Sequence, residues 1–65
     1  MKSLSINGET LQLAAKNLAE LIDLLKIQGS FAIALNNQVV PKSELAMQNL
    51  NDGDHVEIIR PTVGG

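Results

Sequence analysis

The dipeptide Asn7-Gly8 constrains the fold of this chain most, because it predicts a tight β-hairpin near the start of the sequence. Both positions tolerate the positive φ angles that a two-residue hairpin turn requires. The segments on either side alternate polar and apolar residues, which is typical of half-buried strands. A two-residue turn also fixes the register and places Leu4 opposite Leu11 on the core face. The predicted strands are residues 2–6 and 9–13.

One amphipathic helix is predicted after the hairpin. Asn17 is the predicted N-cap, and Glu20 follows three residues later, as in a capping box. Apolar side chains then recur at the spacing of one helical face. They are Leu18, Leu21, Ile22 and Leu25. Gly29 is the predicted C-cap, because glycine turns left-handed without steric cost, so the helix should extend from residue 18 to 27 or 28.

The second half of the chain predicts three more strands and short connections. The strands are residues 31–35, 39–40 and 55–60; the connections are a turn at 36–38, a short helical turn capped by Ser43, and a tight turn at 51–54. Pro41 and Pro61 end two of these strands, because proline cannot donate a ladder hydrogen bond. A single helix must cover one face of the sheet. We therefore predict an α+β fold with a mixed sheet of four to five strands and one helix packed across one face.

Size and charge restrict the classes of function. The 65 residues form one predicted domain, 1–65, which has room for one modest core but not for a deep pocket. The net charge is −2 and the five basic residues are scattered, which disfavours nucleic acid and anionic membranes as partners. The chain has no cysteine, no apolar signal segment at its start and no run of membrane-spanning length. We expect a cytoplasmic location.

The sequence ends in Gly64-Gly65, shortly after the last predicted strand. Two residues without side chains can enter a narrow channel in another protein and adopt backbone angles closed to other residues. The carboxylate of Gly65 would then be the reactive group at the tip. It can attack ATP to form an acyl-adenylate, which a sulfur nucleophile can displace. The alternative is a chain end without a function.

Acid–base catalysis and metal binding have no support in the sequence. His55 is the single histidine, and no pair of carboxylates can be placed across a cleft. The acidic residues Glu9, Glu20, Asp23, Glu44 and Glu57 fall on predicted solvent faces or caps. The segment from Asp52 to Asp54 lacks the further ligands of a calcium loop and predicts a turn with Gly53 at positive φ. We predict no catalytic residues and no metal ligands.

Ile59 is out of phase with the core positions of the last strand. It should lie on the open face of the sheet beside Ala32 and Ala34, where an exposed isoleucine between small residues makes a flat apolar surface. We predict a partner-contact patch at these three residues. The alternative is that a single exposed apolar residue has no function.

Several segments together resemble the sulfur carrier proteins of thiamin biosynthesis, the ThiS family. They are the hairpin at Asn7-Gly8, residues 34–41 and 50–54, the strand residues 56–59 and the end Gly64-Gly65. Their order and spacing are specific, and the resemblance covers the whole chain. It implies a ubiquitin-like β-grasp fold that continues into a flexible tail at residues 61–65.

The resemblance also implies a carrier protein rather than an enzyme. A ubiquitin-activating-like adenylyltransferase would adenylate the carboxylate of Gly65 with ATP and magnesium, while the carrier itself binds no cofactor. Sulfur from a cysteine desulfurase or another donor would convert the carboxylate to a thiocarboxylate, and thiazole synthase would take that sulfur into the thiazole ring. Gly65 would carry the sulfur, and Gly64 and Val63 would give the tail access to the partners' sites.

Two alternatives remain open. The small subunit of molybdopterin synthase shares the fold, the thiocarboxylate chemistry and the Gly-Gly end, although those chains look longer in the middle. The step from Val40 to Pro41 after an Asn-rich turn favours the thiamin carrier. A non-catalytic β-grasp interaction or modifier domain would leave Gly65 idle or join it to lysines.

Overall fold

The structure is a computed structural model that describes residues 1–60. Its elements are β1 (Lys2–Ile6), β2 (Glu9–Leu13), α1 (Leu18–Leu25), β3 (Ala32–Leu35), β4 (Gln38–Val40), a 3₁₀ helix (Lys42–Met47) and β5 (His55–Ile59). The strands form one sheet in the order β2-β1-β5-β3-β4. β1 and β5 are parallel, and the other neighbouring strands are antiparallel. The predicted mixed sheet is confirmed, with five strands.

Two tight hairpins shape the ends of the sheet. Asn7 and Gly8 have φ angles of 50° and 85°, and the predicted register is confirmed: Leu4 lies opposite Leu11. Asn36 and Asn37, with φ angles of 50° and 71°, form the second turn. The predicted turn at residues 36–38 is one residue too long, because two consecutive left-handed residues already reverse the chain. β4 therefore begins at residue 38.

The core lies between α1 and one face of the sheet. Its most completely buried large side chains come from β1, α1 and β3: Leu4, Leu18, Leu21 and Ile33. Val56 of β5 and Leu45 of the 3₁₀ helix belong to the same cluster. The apolar side chains of the alternating strands and of the amphipathic helix thus pack in one cluster, as predicted.

The start of α1 has the predicted cap. The Oδ1 atom of Asn17 accepts a hydrogen bond from the Glu20 N–H at 2.9 Å. The Oε1 atom of Glu20 accepts one from the Lys16 N–H at 2.9 Å, one residue before the N-cap position of a standard capping box. The Asn17 bond satisfies an N–H group of the first turn that the helix cannot pair internally, and the Glu20 bond satisfies the N–H of the residue before the cap.

The end of α1 differs from the prediction. The helix stops at Leu25, and Lys26 takes the left-handed conformation with φ 55°. The Lys26 N–H donates to the Asp23 carbonyl and the Ile27 N–H to the Ile22 carbonyl, both at 3.2 Å, which is the Schellman pattern. Gly29 is left-handed too, with φ 85°, but it lies beyond this cap. The prediction of Gly29 as C-cap is wrong because a lysine closes the helix first.

The predicted capping role of Ser43 is also wrong. The 3₁₀ helix begins at Lys42, and Pro41 occupies its N-cap position without a side-chain hydrogen bond. The Pro41 carbonyl accepts the Glu44 N–H at 2.9 Å, so the backbone closes this turn. The predicted tight turn before β5 is confirmed, with Gly53 at φ 89°.

Candidate functional site

The predicted reactive tail continues from β5. Gly65, Gly64 and Val63, the predicted sulfur-carrying and access residues, lie outside the described residues. What the structure describes is the base of the tail, from β5 to Arg60.

β5 is the central strand of the sheet. It pairs with β1 on one side and with β3 on the other. Val56 is buried between them in the core, while Ile59 at the end of the strand is exposed. β1 pairs with His55 and Val56, and β3 pairs with β5 from Val56 to Ile59, so the tail begins from a central strand rather than from an edge strand.

Asn7 holds the end of β5 through its side chain. Its Oδ1 atom accepts a hydrogen bond from the Ile58 N–H at 2.7 Å, and its Nδ2 atom donates to the Ile58 carbonyl at 3.3 Å. The backbone N–H of Asn7 donates to the Val56 carbonyl at 3.0 Å. The residue that turns the first hairpin therefore also binds the strand that leads to the tail. The sequence pattern predicted the turn but gave no sign of this contact.

Arg60, the last described residue, contacts the helix layer of the domain. Its Nη2 atom donates to the Gln28 carbonyl at 3.1 Å, in the loop that follows α1. The contact is exposed to solvent, so it adds little to stability by itself. Together with the contact of Asn7 to Ile58, it links the base of the tail to both the sheet and the helix layer.

The predicted partner-contact residues share the open face of the sheet. Ile59 lies directly opposite Ala32 across the β3–β5 pair, and both are exposed. Ala34 is on the same face but is only 7% exposed, since its small side chain lies between Glu57 and Val39 on the flanking strands. It belongs to the floor of the patch rather than to its rim.

Val39 is a further residue of this surface that the sequence analysis missed. It lies opposite Ala34 and is 73% exposed, although it is apolar. The signal was available: Val40 faces the core, so its neighbour in a strand must face away. We call Ala32, Ala34, Val39 and Ile59 the open-face patch.

The polar residues of the open face form a shallow groove beside the patch. Ser5, His55 and Glu57 line it, together with Ala34. His55 and Glu57 are exposed, and so are the other acidic residues that the sequence placed on solvent faces or caps. Among residues 1–60, no group of three or more potential ligands is arranged to hold a metal ion. No helix in this part of the chain has the length and hydropathy needed to cross a membrane.

Solved structures show what kind of domain this architecture is. A crystal structure of a thiamine biosynthesis protein (ThiS) from Geobacter metallireducens matches with a TM-score of 0.82 and 28% identity, covering 97% of this chain and 99% of that one. An NMR structure of a thiamine biosynthesis protein from the same organism matches with a TM-score of 0.79 and 29% identity, covering 97% and 87%. The mixed five-stranded sheet with one helix is a ubiquitin-like β-grasp domain.

The family follows from the sequence match. The chain matches the ThiS family over residues 4–65, which is nearly its whole length, and it belongs to that family. A comparison with curated proteins gave no match.

Proposed function

We propose that this chain is a sulfur carrier in thiamin biosynthesis, which delivers sulfur for the thiazole ring from a thiocarboxylate at Gly65. The observation that carries the proposal is the match to the ThiS family, which extends through residue 65 and so includes the Gly64-Gly65 end. The two solved structures described above are both of a thiamine biosynthesis protein from Geobacter metallireducens, which supports the same pathway for this chain.

The proposed chemistry takes place on the carboxylate of Gly65. A carboxylate oxygen attacks the α-phosphorus of ATP, so that an O–P bond forms and pyrophosphate leaves. A sulfur nucleophile then attacks the acyl carbon; a C–S bond forms, and the C–O bond to AMP breaks. Sulfide gives the thiocarboxylate directly, whereas a persulfide gives an acyl disulfide, whose S–S bond is then cleaved by a thiol reductant. ATP and magnesium belong to the adenylyltransferase partner, and the sulfur comes from a cysteine desulfurase or another donor. Thiazole synthase is the proposed acceptor.

The described part of the chain supports this role through the base of the tail. A carrier must present its terminal carboxylate inside a partner's active site, which requires a defined starting point and a separate surface for docking. β5 ends at Ile59, which pairs with Ala32 of β3. The Asn7 side chain binds Ile58 on the other side, and Arg60 follows with its contact to the Gln28 carbonyl. The carrier would thus be rigid up to the residue that precedes the tail.

The open-face patch is the proposed docking surface for these partners. It lies on β3, β4 and β5, so it includes the end of the strand that leads to the tail. Its two large apolar members, Val39 and Ile59, are both exposed. A partner that covered them would gain hydrophobic contact area close to the point where the tail enters its active site.

A reconstituted reaction tests the function. The chain is incubated with the thiamin-pathway adenylyltransferase, ATP, magnesium and a sulfur source, and its intact mass is measured. We expect a mass increase equal to the replacement of one oxygen by sulfur, located by fragmentation to Gly65. Transfer of that sulfur is then followed with thiazole synthase and, in parallel, with the large subunit of molybdopterin synthase.

The outcomes separate the alternatives. Turnover with thiazole synthase alone supports the proposal, whereas turnover with the molybdopterin enzyme alone assigns the chain to that pathway. Adducts on lysines of other proteins would indicate a modifier. An unchanged mass in the presence of an active adenylyltransferase would contradict the carrier function.

A further inference from the structure

The backbone ladder between β1 and β5 ends at Asn7. The Ser5 N–H donates to the Asp54 carbonyl at 3.0 Å, with Ser5 opposite His55 and Ile6 opposite Val56. The Asn7 N–H then donates to the Val56 carbonyl at 3.0 Å. In a continuing parallel strand, the backbone carbonyl of residue 7 would accept the next hydrogen bond from Ile58.

Asn7 cannot supply that carbonyl from its backbone, because it has φ 50° and turns into the hairpin. Its side-chain Oδ1 accepts the Ile58 N–H instead, and its Nδ2 donates to the Ile58 carbonyl. The side-chain amide thus adds one rung to the sheet after the strand itself has ended. This rung lies two residues before Arg60, at the base of the tail.

Asparagine is the residue that combines the two requirements of this position. Its short side chain makes the left-handed conformation accessible, and its amide carries both an acceptor and a donor. Glycine would adopt the turn conformation but would leave the Ile58 N–H and carbonyl without these side-chain hydrogen bonds. Aspartate would keep the acceptor for the N–H and lose the donor to the carbonyl. The choice of residue 7 can therefore be tested separately from the turn that it forms.

We propose that Asn7 is a positioning residue for the tail: its side-chain amide fixes the end of β5 and thereby the direction in which the tail enters a partner's active site. This role rests on the carrier function proposed above. It acts through Ile58 and Arg60 and not by contact with the reacting carboxylate. When the base of the tail is held in one orientation, the acyl carbon has fewer unproductive positions. The Asn7 contact should therefore increase the loading rate more than it increases the affinity for the partner.

The test compares Asn7→Gly with Asn37→Gly. Both substitutions replace a left-handed asparagine in a two-residue hairpin turn. In the turn of Asn37, the side-chain contact to β5 is made by the neighbouring Asn36, which accepts the His55 N–H at the start of the strand and not at its end. Sulfur loading is measured at saturating adenylyltransferase, and affinity for that partner is measured separately. We expect Asn7→Gly to lower the maximal loading rate about 10- to 100-fold with unchanged affinity. Asn37→Gly should load as the unsubstituted chain does.

Amide hydrogen exchange gives a readout that does not depend on the function. In Asn7→Gly, the Ile58 amide should exchange faster, whereas the Ile33 and Ala34 amides of the neighbouring strand should keep their protection. Unchanged exchange at Ile58 would show that the Asn7 contact is not held in solution, and it would overturn the proposal. Faster exchange at Ile58 with full loading activity would overturn it as well.

Two further results also decide between the positioning role and its alternatives. If Asn7→Gly does not fold, Asn7→Asp replaces it; this variant keeps the acceptor for Ile58, so its loading rate should lie between those of the glycine variant and the unsubstituted chain. A rate equal to that of the unsubstituted chain would then contradict the positioning role. Failure of the unsubstituted chain to load refutes the carrier function and the positioning role together, which is distinct from a result confined to Asn7.

Discussion

Ile59 lies directly opposite Ala32 on the open face of the sheet, and the alanine leaves half of the isoleucine side chain exposed. Ile59 is the last residue of β5, so this pair lies next to the base of the tail. Beside it, Val39 lies opposite Ala34 in the same arrangement of a large exposed side chain across from a small one. When a partner covers the surface that the two pairs form, little side-chain conformational entropy should be lost, because alanine and β-branched side chains have few rotamers to lose.

Ile59→Asp should therefore weaken partner binding more than it weakens the fold. A carboxylate in a covered apolar contact lacks a partner and must be desolvated, which makes a loss of about tenfold or more in affinity the expected result. In the free domain the same side chain is half in water, and surface substitutions usually change stability by only about 0.5 kcal/mol. Binding to the adenylyltransferase by calorimetry and thermal unfolding of the free chain measure the two effects.

Leu24→Asp is the matched control for this prediction. Leu24 is 51% exposed, against 50% for Ile59, but it lies on α1, on the other side of the sheet. An acidic side chain near the helix C-terminus opposes the helix dipole, so its stability cost should be equal or larger. Partner affinity should nevertheless be unchanged. Equal losses of affinity in the two variants, or unfolding of Ile59→Asp alone, would show that the docking surface is assigned to the wrong face.

Deletion of Gly65 should abolish sulfur loading without altering the domain. The deletion removes the proposed acyl carbon and leaves the residues of the described core and sheet unchanged. Circular dichroism and thermal unfolding should match the unsubstituted chain, and the mass increase should be absent. A variant with one glycine added after Gly65 keeps a terminal carboxylate but displaces it by one residue. Loading that survives the deletion would refute Gly65 as the sulfur-carrying residue.

The sequence was sufficient to predict features that depend on local pattern. The register of Leu4 and Leu11 follows from the length of the first turn, and the Asn17 cap follows from the spacing to Glu20. Both depend on residues within one hairpin or one helical turn. Hydrophobic alternation also placed Ile59 away from the core.

Features that depend on distant residues were not predictable in the same way. The contact between Asn7 and Ile58 joins positions 51 residues apart, and no local pattern indicates it. The end of α1 at Leu25 was missed because glycine is the usual left-handed cap, whereas here the backbone bonds of the Schellman turn hold Lys26 in that conformation. The low exposure of Ala34 depends on the side chains of both flanking strands, which the order of the sheet brings together.

Asn17→Ala should destabilise the domain by about 1 kcal/mol, because the Glu20 N–H loses its side-chain acceptor. In a domain of this size, that loss corresponds to a fall of about 4–8 °C in the unfolding midpoint. Differential scanning calorimetry measures it, with Asn17→Asp as the control that retains an oxygen acceptor at the cap. Sulfur loading well below the midpoint should not change. A midpoint equal to that of the unsubstituted chain would mean that the cap does not stabilise α1.

Leu21→Ala should be far more damaging than Leu24→Ala, although the two leucines are one helical turn apart. Leu21 is fully buried against the sheet, and truncation of such a side chain costs about 2–5 kcal/mol through lost burial and the cavity that remains. Leu24 keeps half of its surface in water, so its truncation should cost less than about 1 kcal/mol. Because a domain of this size has a small stability margin, Leu21→Ala should be largely unfolded at a denaturant concentration where Leu24→Ala remains folded. Urea unfolding followed by circular dichroism compares the pair directly, and similar midpoints for the two variants would contradict the assignment of Leu21 to the core.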